Sequence, residues 1–515
     1  MNRRGSMRRG RQARRESPPQ QSAVAPGLSG GTYKPLTDAE IQSIHHAVLD
    51  VLENIGMADP IPVLKEHALK KGCKIDKHGR LCFPRALVED IIAETAHELR
   101  FCGREPRFDL HLGDQRVHTY GGGEAVTMLD VGASTYRPST LLDVYDVARL
   151  VDRLDNIHAF SRLIVATDMN NRLECDINTA YASVAGTAKH TALTFGDAKN
   201  VEPTLEMLYM IAGGKKNFHE RPFCHGGGCP VISPLRYGAD NAEVCIESTK
   251  FGAPVWIVVA PQAGATAPAA LAGTVVQVMA EALASLLMIN LVVPKYPVIV
   301  GPWPFVSDLR SGSFTGGGGE EALVSAAAAQ VTNFYGLVSS VGAGMSDAKL
   351  PDNQAGYEKA IAVTLAALSG CNNVSESAGM MGSLMGLSME SLVIDNDMLG
   401  TVLRTVRGIE VNEQTLSVEV IESAVRGEGH FLRQAQTLEL MRSEYEYPDL
   451  ADRLPPNQWQ EGGSLDIREQ AAARVREIMS SHYPEYIDAA IDRKIRDRFP
   501  IEIRQADMQK DNGRW

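Results

Sequence analysis

Three short stretches combine several glycines with side chains that could bind or react with a small molecule. Residues 120–124 read YGGGE, residues 225–229 read HGGGC, and residues 342–349 read GAGMSDAK. Glycine lets the backbone turn sharply, or lets a large flat molecule approach it closely. The phenol, imidazole, thiol and carboxylates beside these glycines supply hydrogen-bonding and charged groups. These stretches are therefore the first candidates for a functional site.

Aromatic side chains occur at similar positions, each just after a short apolar run. Rings that surround a pocket bind a quaternary ammonium group at about 0.5–2 kcal/mol per ring. The same rings could instead be ordinary core residues, since aromatic side chains contribute much of the packing in protein interiors. The sequence therefore predicts either a cation pocket or core packing for Tyr120, Phe195, Trp303, Phe305 and Tyr357.

The candidates follow eight predicted strands that alternate with eight predicted helices. Each strand is a short run of β-branched or apolar residues ended by glycine, proline or a polar residue. Eight such units in series predict an α/β fold, a closed parallel (β/α)8 TIM barrel, whose chemistry lies at the carboxyl ends of its strands. The predicted strands are 117–120, 159–167, 191–195, 223–229, 254–259, 297–300, 337–341 and 374–377.

Segments on both sides of the barrel complete the predicted organisation. Thr37 and Glu40 form a capping box that predicts a helix ending at Gly56. Amphipathic spacing in the last hundred residues predicts helices that pack on the barrel or on a neighbouring subunit, which favours a homo-oligomer. The four predicted parts are a disordered basic leader at 1–35, helices and short strands at 36–116, the barrel at 117–400, and a helical extension at 401–515.

Composition narrows the classes of protein to consider. Hydrophobic residues make up 44% and charged residues 22% of the chain, which is typical of a soluble globular protein. Seven arginines lie in the first 15 residues, yet the net charge is −12, so the body is too acidic to favour nucleic acid as a partner. The eight cysteines are scattered without paired spacing, which favours a reducing cytoplasm. The apolar run at 269–294 contains Gln277, Glu281 and Asn290, which indicates a buried helix rather than a membrane span.

Two other kinds of site have weaker support. His225 lies between Cys224 and Cys229, but neighbouring strand residues point to opposite faces, so a zinc site is not predicted and His225 is expected to hydrogen-bond in a pocket or to be structural. The run Gly316–Gly319 before Glu320 resembles a phosphate-binding loop at a helix start. It lacks the lysine and the hydroxyl residue of such loops. A mobile loop over the barrel mouth is the alternative.

Three longer stretches resemble one family. TYGGGEAVTMLD at 119–130, RPSTLLDVYDVARLVDRLDNI at 137–157 and SDAKLPDNQAGYEKA at 346–360 look like the trimethylamine methyltransferase family of corrinoid-dependent enzymes. The resemblance covers about residues 35–510. It implies a barrel that holds a methylated amine at its mouth and a separate protein, carrying cobalamin, that accepts the methyl group on reduced cobalt. No cofactor is then bound permanently by this chain.

One departure from the family pattern narrows the expected substrate. The family's trimethylamine enzymes of methanogens carry pyrrolysine near the end of strand 7, where this chain has only ordinary residues at 341–346. Non-pyrrolysine members act on quaternary amines such as glycine betaine, whose nitrogen leaves as a neutral amine. A sulfonium donor such as dimethylsulfoniopropionate, or a catalytically inactive amine-binding barrel, remains an alternative.

The resemblance also suggests roles for individual residues. Tyr120, Trp303 and Phe305 would surround the ammonium group, and Glu376 or Asp347 would offset its charge. His225 and Gln354 would hydrogen-bond a substrate carboxylate. The predicted catalytic residues are thus Glu376, Asp347 and His225, and the predicted substrate-binding residues are Tyr120, Phe195, Trp303, Phe305, Gln354 and Tyr357. Glycines expected to admit the corrin ring are Gly121, Gly122, Gly226, Gly227, Gly342 and Gly344.

Overall fold

A computed structural model describes residues 22–510 and 512–515 as a mixed α/β fold. Eight short parallel strands, numbered β1–β8 here, each precede a helix of the series α1–α8. The strands are β1 Arg116–Thr119, β2 Phe160–Ser161, β3 Thr191–Leu193, β4 Cys224–Gly228, β5 Val255–Val259, β6 Val298–Pro302, β7 Ser340–Gly342 and β8 Asn373–Ser375. The helices are α1 Leu141–Val151, α2 Arg172–Gly186, α3 Val201–Ile211, α4 Ala239–Glu247, α5 Leu271–Val292, α6 Gly319–Phe334, α7 Asn353–Leu368 and α8 Met389–Arg407.

The eight strands belong to two sheets rather than to one continuous sheet. Strands β2 to β6 form a five-stranded parallel sheet, and β7, β8 and β1 are parallel neighbours in a four-stranded sheet. Single parallel bridges connect the two sheets, Tyr120 with Ala159 and Val300 with Ser339. All eight predicted strands are therefore present in the predicted order, although β2 is much shorter than the predicted 159–167.

Side chains of the strands alternate between two sides. On one side they join the outer core, two clusters that pack against the helices, and on the other they join a smaller inner cluster between the strands. In β5, Val255, Ile257 and Val259 pack with α5, whereas Trp256 and Val258 lie in a smaller cluster between the strands. In β4, Cys224 joins the outer core and His225 stacks on Phe101 of the inner cluster. This alternation follows from the two-residue period of a strand. Every second residue of a strand is thereby directed towards a common interior.

A β-hairpin packs against the inner cluster near the amino ends of the strands. Its two strands, Glu98–Phe101 and Leu110–Gly113, pair antiparallel. Leu99, Phe101, Leu110 and Leu112 belong to the inner cluster. Residue 104, in the loop of this hairpin, donates its backbone N–H to the carbonyl of Ala188, just before β3. The hairpin therefore covers one end of the interior, and access is left at the carboxyl ends.

The amino-terminal helices pack around α5. Thr37 and Glu40 form the predicted capping box at the start of Asp38–Asp50, and the helical chain continues to Ile55. Helix α5 is long and apolar enough to cross a membrane, but most of it is buried, because it packs both against the strands and against these helices. The other helices in this region are Pro62–Lys70 and Arg85–Glu94.

The predicted basic leader ends earlier than expected. Its first 21 residues, with their arginines, lie outside the described residues. Residues 22–35 pack on the fold, since Ala23 is buried and Leu28–Ser29 pairs antiparallel with β1. Gly30 lies against the carbonyl of Ala367, where a Cβ atom would be only 2.3 Å away. The prediction that the chain is disordered through residue 35 was therefore wrong for residues 22–35.

The carboxyl-terminal region is helical, as predicted. The amphipathic run beginning at Ile467 forms a helix to Ser481 that packs on α8 and α1, whereas the run at 432–442 is helical only over Ala435–Leu440. The remaining helices are Val418–Arg426, Pro456–Glu461 and Ala489–Arg498. Short strands outside the central set are Lys74–Ile75, Leu81–Cys82, Thr127–Leu129, Tyr136–Pro138, Val231–Ile232, Arg236–Tyr237, Gln262–Ala263, Phe305–Asp308, Ser313–Thr315, Met380–Met381 and Gly386–Ser388.

Candidate active site

Aromatic rings fill the interior between the strands. Trp256 lies at the centre, with its ring centroid 6.5 Å from Tyr120, 6.1 Å from His225 and 5.6 Å from Trp303. Trp303 in turn lies 6.2 Å from Phe305. These five side chains, the ring cluster, come from β4, from β5 and from the segments after β1 and β6. Three of the predicted cation-binding rings, Tyr120, Trp303 and Phe305, are thus brought together.

The ring cluster contains polar atoms that have no hydrogen-bond partner among the described residues. They are the Tyr120 hydroxyl, His225 Nε2, and the Nε1 atoms of Trp256 and Trp303. Tyr120 and His225 are almost completely buried, and the two tryptophans are 6% and 7% exposed. Most buried polar groups in native proteins are paired, and leaving one unpaired costs about 1–3 kcal/mol. Four such atoms on adjacent rings leave hydrogen-bonding capacity that water or a polar ligand could use.

The hydrogen bonds of two buried histidines fix which atom of His225 carries a proton. His190 Nδ1 lies 2.8 Å from the carbonyl oxygen of Cys102, which can only accept, so this nitrogen is the protonated one. Burial lowers the pKa of His190 to about 4, so His190 is neutral and its Nε2 is an acceptor. His225 Nδ1, at 2.8 Å, must donate to it. Since burial also lowers the pKa of His225, its Nε2 is left as a bare acceptor.

Two glutamates lie at the carboxyl ends of the strands. Glu376 follows β8 and Glu124 follows β1, and both have φ in the left-handed region, at 59° and 51°. Burial and the nearby Glu124 carboxylate raise the pKa of Glu376 to about 8. Burial acts in the same direction on Glu124, but the ion pair with Arg162, at 2.9 Å, and the Thr194 hydroxyl lower its pKa overall. The pair therefore combines an ionised carboxylate with one that retains its proton near neutral pH.

Solvent reaches this end of the strands. The Glu124 side chain is 38% exposed, and Cys229, after β4, is exposed as well. The carboxylate Oε2 of Glu376 has no hydrogen-bond partner within the described part of the chain. Glu376 is thus a buried acid that a cation could partner.

The six glycines expected to admit a corrin ring are all buried, and protein atoms explain them. A Cβ on Gly122 would lie 3.2 Å from Glu376 Oε1, and one on Gly342 would lie 3.0 Å from the Trp303 ring. Gly227 and Gly344 face backbone atoms at 2.0 and 2.7 Å, and Gly344 also has φ of 99°. Side chains meet the other two, Leu163 at Gly121 and Ser248 at Gly226. These glycines therefore give room to neighbouring strands and rings, and their part in admitting a corrin ring stays a prediction.

Several predicted site residues lie elsewhere. Phe195 packs in the outer core, with its centroid 6.0 Å from Phe251, and Tyr357 is 57% exposed on α7. Gln354 donates to Glu358 Oε1 at 2.8 Å on the same helix. None of these three joins the ring cluster, so the structure does not bring Phe195, Tyr357 or Gln354 together with the other predicted rings. The sequence pattern could not distinguish these rings from those of the ring cluster, because a ring that follows a strand can face either the interior between the strands or the surrounding helices.

Asp347 has a structural explanation. Its Oδ1 accepts the backbone N–H of Gly316 at 2.8 Å and the hydroxyl of Ser383. The adjacent cavity, of about 430 Å³, lies beside Gly317 and Gly318 and is lined by the carboxylates of Asp308, Glu320, Asp347 and Glu358, with one arginine, Arg310. Such a lining repels phosphate, so the glycine run is not a phosphate site. Asp347 instead fixes this loop.

Sequence reasoning placed Glu124 in a candidate stretch without giving it an individual role, and it did not single out Trp256 or His190. Trp256 could have been found, because the two-residue period of β5 places Trp256 and Val258 on one face. His190 could not, since its role depends on contacts with residues distant in sequence. Among the described residues, no group of three or more His, Cys, Asp or Glu side chains is arranged to hold a metal ion. Their eight cysteines are unpaired.

Comparison with known proteins places this site in a family. The sequence profile of trimethylamine methyltransferases matches residues 3–509. The chain belongs to the trimethylamine methyltransferase family. It is 32% identical to a trimethylamine methyltransferase of Methanosarcina acetivorans over 90% of this chain and 94% of that one. It is 29% identical to the glycine betaine methyltransferase of Desulfitobacterium hafniense strain Y51, over 90% and 96%.

The family assignment confirms the resemblance seen in the sequence and confirms a methyltransferase. A further relative, the trimethylamine methyltransferase of Desulfitobacterium hafniense strain DCB-2, is 30% identical over 91% of this chain and 93% of that one. The crystal structure of the Methanosarcina barkeri monomethylamine methyltransferase aligns with 12% identity and a TM-score of 0.47, covering 90% of this chain and 96% of that chain.

Proposed function

We propose that this methyltransferase transfers a methyl group from a quaternary amine of the glycine betaine type to the reduced cobalt of a separate corrinoid protein. The observation that carries the proposal is the ring cluster with its unpartnered polar atoms, near the acidic strand ends. Rings and carboxylates are what a quaternary ammonium group requires, at about 0.5–2 kcal/mol per ring. Similarity to a glycine betaine methyltransferase supports this substrate class.

A closed (β/α)8 barrel is the arrangement we propose for β1–β8. The two parallel bridges between the sheets, at Tyr120 with Ala159 and at Val300 with Ser339, support closure on both sides. The covering hairpin at the amino ends supports a single entrance at the carboxyl ends, where active sites of such barrels lie. Trp303 and Phe305 would then hold the ammonium group above the more deeply buried Tyr120 and His225.

Positioning is the main contribution that this chain would make to the reaction. When the C–N bond breaks, its electron pair remains on nitrogen, and a neutral tertiary amine leaves. A quaternary nitrogen therefore needs no added proton, and the protein needs only to orient one methyl group outward along the line of attack. The corrinoid protein supplies the nucleophilic metal. Glu124 would stabilise the cation before transfer through its negative charge, and Glu376 would do so once the bound cation favours its ionised form.

The partner proteins are also part of the proposal. The corrinoid protein would dock at the carboxyl ends of the strands, where Leu309 and Met385 are 68% and 59% exposed. Exposed apolar side chains in the carboxyl-terminal extension support a homo-oligomer, and unpaired cysteines are compatible with a cytoplasmic location. Nucleic acid and a membrane are not among the proposed partners.

Methylation of free cob(I)alamin by the purified protein tests the proposed function. Glycine betaine, proline betaine and carnitine represent quaternary amines, and trimethylamine and dimethylsulfoniopropionate represent the other donor classes. We expect transfer from at least one quaternary amine and none from trimethylamine. Transfer from dimethylsulfoniopropionate alone would show that the substrate is a sulfonium rather than a quaternary amine. Tight binding without transfer from any donor would indicate an inactive binding protein.

Trp303→Ala provides a residue-level test of the cation pocket. Loss of this ring should weaken the binding of glycine betaine in calorimetry, by about tenfold, because the ring supplies both a face for the cation and a wall of the pocket. Unchanged affinity would contradict the placement of the ammonium group at Trp303.

A further inference from the structure

The ring cluster offers more hydrogen-bond donors than the described residues can use. The indole N–H groups of Trp256 and Trp303 can only donate, and neither has a partner within the described chain. The Tyr120 hydroxyl can donate or accept, and His225 Nε2 can only accept, as its bond to His190 requires. Three donor hydrogens therefore face two acceptor atoms, His225 Nε2 and the Tyr120 oxygen, so at least one of the three donors is left without a partner in the ring cluster.

A ligand that brings an acceptor would resolve this imbalance. Trimethylamine and simple tetraalkylammonium ions have no acceptor available once their nitrogen faces the rings, so they would leave the excess donor unpaired. A carboxylate accepts several hydrogen bonds. His225, the residue first expected to hold it, has no proton on Nε2 and would face the carboxylate with a lone pair. Of the three remaining donors, the indoles of Trp256 and Trp303 are the more exposed, at 6% and 7% against 0% for Tyr120, so they are the donors that a ligand would meet first.

We propose that Trp256, together with Trp303, binds the carboxylate of the substrate through its indole N–H and so selects betaines over quaternary amines that carry no acceptor. The proposal rests on the proposed function and adds to it the residues that read the carboxylate. Trp256 is the specific determinant, because it is the more central of the two and its ring contacts both Tyr120 and His225. The bond between His190 and His225 is a positioning contact that keeps the base of the pocket neutral.

Calorimetric binding of glycine betaine and of tetramethylammonium to the full chain tests this assignment. Trp256→Phe removes the N–H donor but keeps an aromatic side chain. We expect the wild-type protein to bind glycine betaine at least about 100-fold more tightly than tetramethylammonium, because a site built to hydrogen-bond a group rejects analogues without it. The substitution should weaken betaine binding by about tenfold or more and leave tetramethylammonium binding within about twofold.

Trp459→Phe is the matched control, because it removes an indole N–H that donates to the Leu465 carbonyl in the carboxyl-terminal extension. Equal affinity of the wild-type protein for both ligands, or an equal loss for both in Trp256→Phe, would overturn the donor assignment while leaving a quaternary-amine enzyme intact. Failure to bind either ligand would instead contradict the proposed function.

A spectroscopic measurement keeps the proposal testable if Trp256→Phe does not fold. In wild-type protein labelled with 15N at the indole nitrogen, the Trp256 Nε1–H resonance should move downfield on addition of glycine betaine. Tetramethylammonium should leave it unchanged. No movement with saturating betaine, or the same movement with both ligands, would overturn the proposal.

Discussion

Glu376 is the residue whose chemistry depends most directly on its surroundings. Its carboxyl is buried at the end of β8, and the Glu124 carboxylate lies close enough to oppose its ionisation. A bound quaternary cation would favour the ionised form for the same electrostatic reason that Glu124 disfavours it. Charge at this position is therefore linked to occupancy of the pocket.

Binding of tetramethylammonium should strengthen with pH through the pKa of Glu376. With the pKa raised to about 8, roughly a tenth of the carboxyl is ionised at pH 7, so the affinity should rise about tenfold between pH 7 and pH 9. Glu376→Gln should abolish this dependence in calorimetry. Glu321→Gln is the control, because Glu321 also has its pKa raised to about 8 by burial but is placed beside Ser325 and Asp347. A pH dependence that persists in Glu376→Gln would contradict the role of this carboxyl.

The same shift has a consequence for stability. A carboxyl whose pKa rises on folding binds its proton more tightly in the folded state, so stability is lost as pH rises from 4.5 towards 8. Glu376→Gln removes this contribution. Its free energy of unfolding should therefore fall less between pH 5 and pH 8.5 than that of the wild-type protein.

Gly344 tests whether the glycines serve internal packing. A Cβ there would lie 2.7 Å from the Ser377 backbone, and φ of 99° is unfavourable for other residues. Gly344→Ala should therefore lower the free energy of unfolding by about 1–3 kcal/mol in urea denaturation. Gly319→Ala is the control, since no atom lies within 4 Å of the added methyl group, and it should change stability by less than about 0.5 kcal/mol. Equal stability of the two variants would contradict the packing role of Gly344 and would favour its predicted role in admitting a corrin ring.

At the scale of single elements, the sequence was a good guide to strands and helices. The helix Val201–Ile211 is one of the eight helices predicted between strands, because a regular apolar period of 3.6 marks a helix that covers a sheet. Strand β2 was overestimated, because the apolar residues after Ser161 pack between strands and helices without a regular ladder. Site residues were harder to predict, since a shift of one residue moves a ring to the opposite face.

Arg149 in α1 connects the strand-and-helix fold to the carboxyl-terminal extension. This side chain is fully buried, pairs with Asp146 at 2.9 Å, and donates to the carbonyls of Met479 and His482 at the end of the helix Ile467–Ser481. It also lies over the Tyr483 ring at 4.3 Å. The guanidinium thus satisfies a helix carboxyl terminus that would otherwise be buried without donors.

Arg149→Ala should destabilise the whole protein, because it leaves Asp146 and two carbonyls without this buried partner. The expected loss is about 3–5 kcal/mol in the free energy of unfolding, measured by urea denaturation followed by circular dichroism. Arg474→Ala, which removes a surface pair with Glu477, should cost less than about 1 kcal/mol. A similar small loss for both variants would show that the extension is held by apolar packing alone.

At the scale of the whole molecule, apolar side chains are unevenly distributed over the surface. Many of the large hydrophobic residues that are exposed lie between Ile409 and Met441, where Ile409 is 89% and Leu432 is 78% exposed. The other exposed large hydrophobic residues are spread over the rest of the described chain, and Leu309 and Met385 are among them. An exposed apolar stretch of this kind is typical of a protein interface. The homo-oligomer stays a prediction, and this stretch is the surface on which it can be tested.

The helix Val418–Arg426 gives this surface a testable element. Val418, Ile421 and Val425 are 68%, 48% and 72% exposed and are spaced to share one face, while Ala424 packs inward. If a second copy of the chain covers this face, the double variant Ile421→Glu and Val425→Glu should place two charges in the interface and shift the mass measured by sedimentation towards the monomer. Ser423→Glu adds a charge to the same helix away from that stripe and should leave the mass unchanged. If the wild-type protein sediments as a monomer, no second copy covers this face, and we would then infer that another partner binds it. The lower mass expected for the double variant arises only if a second copy buries this face.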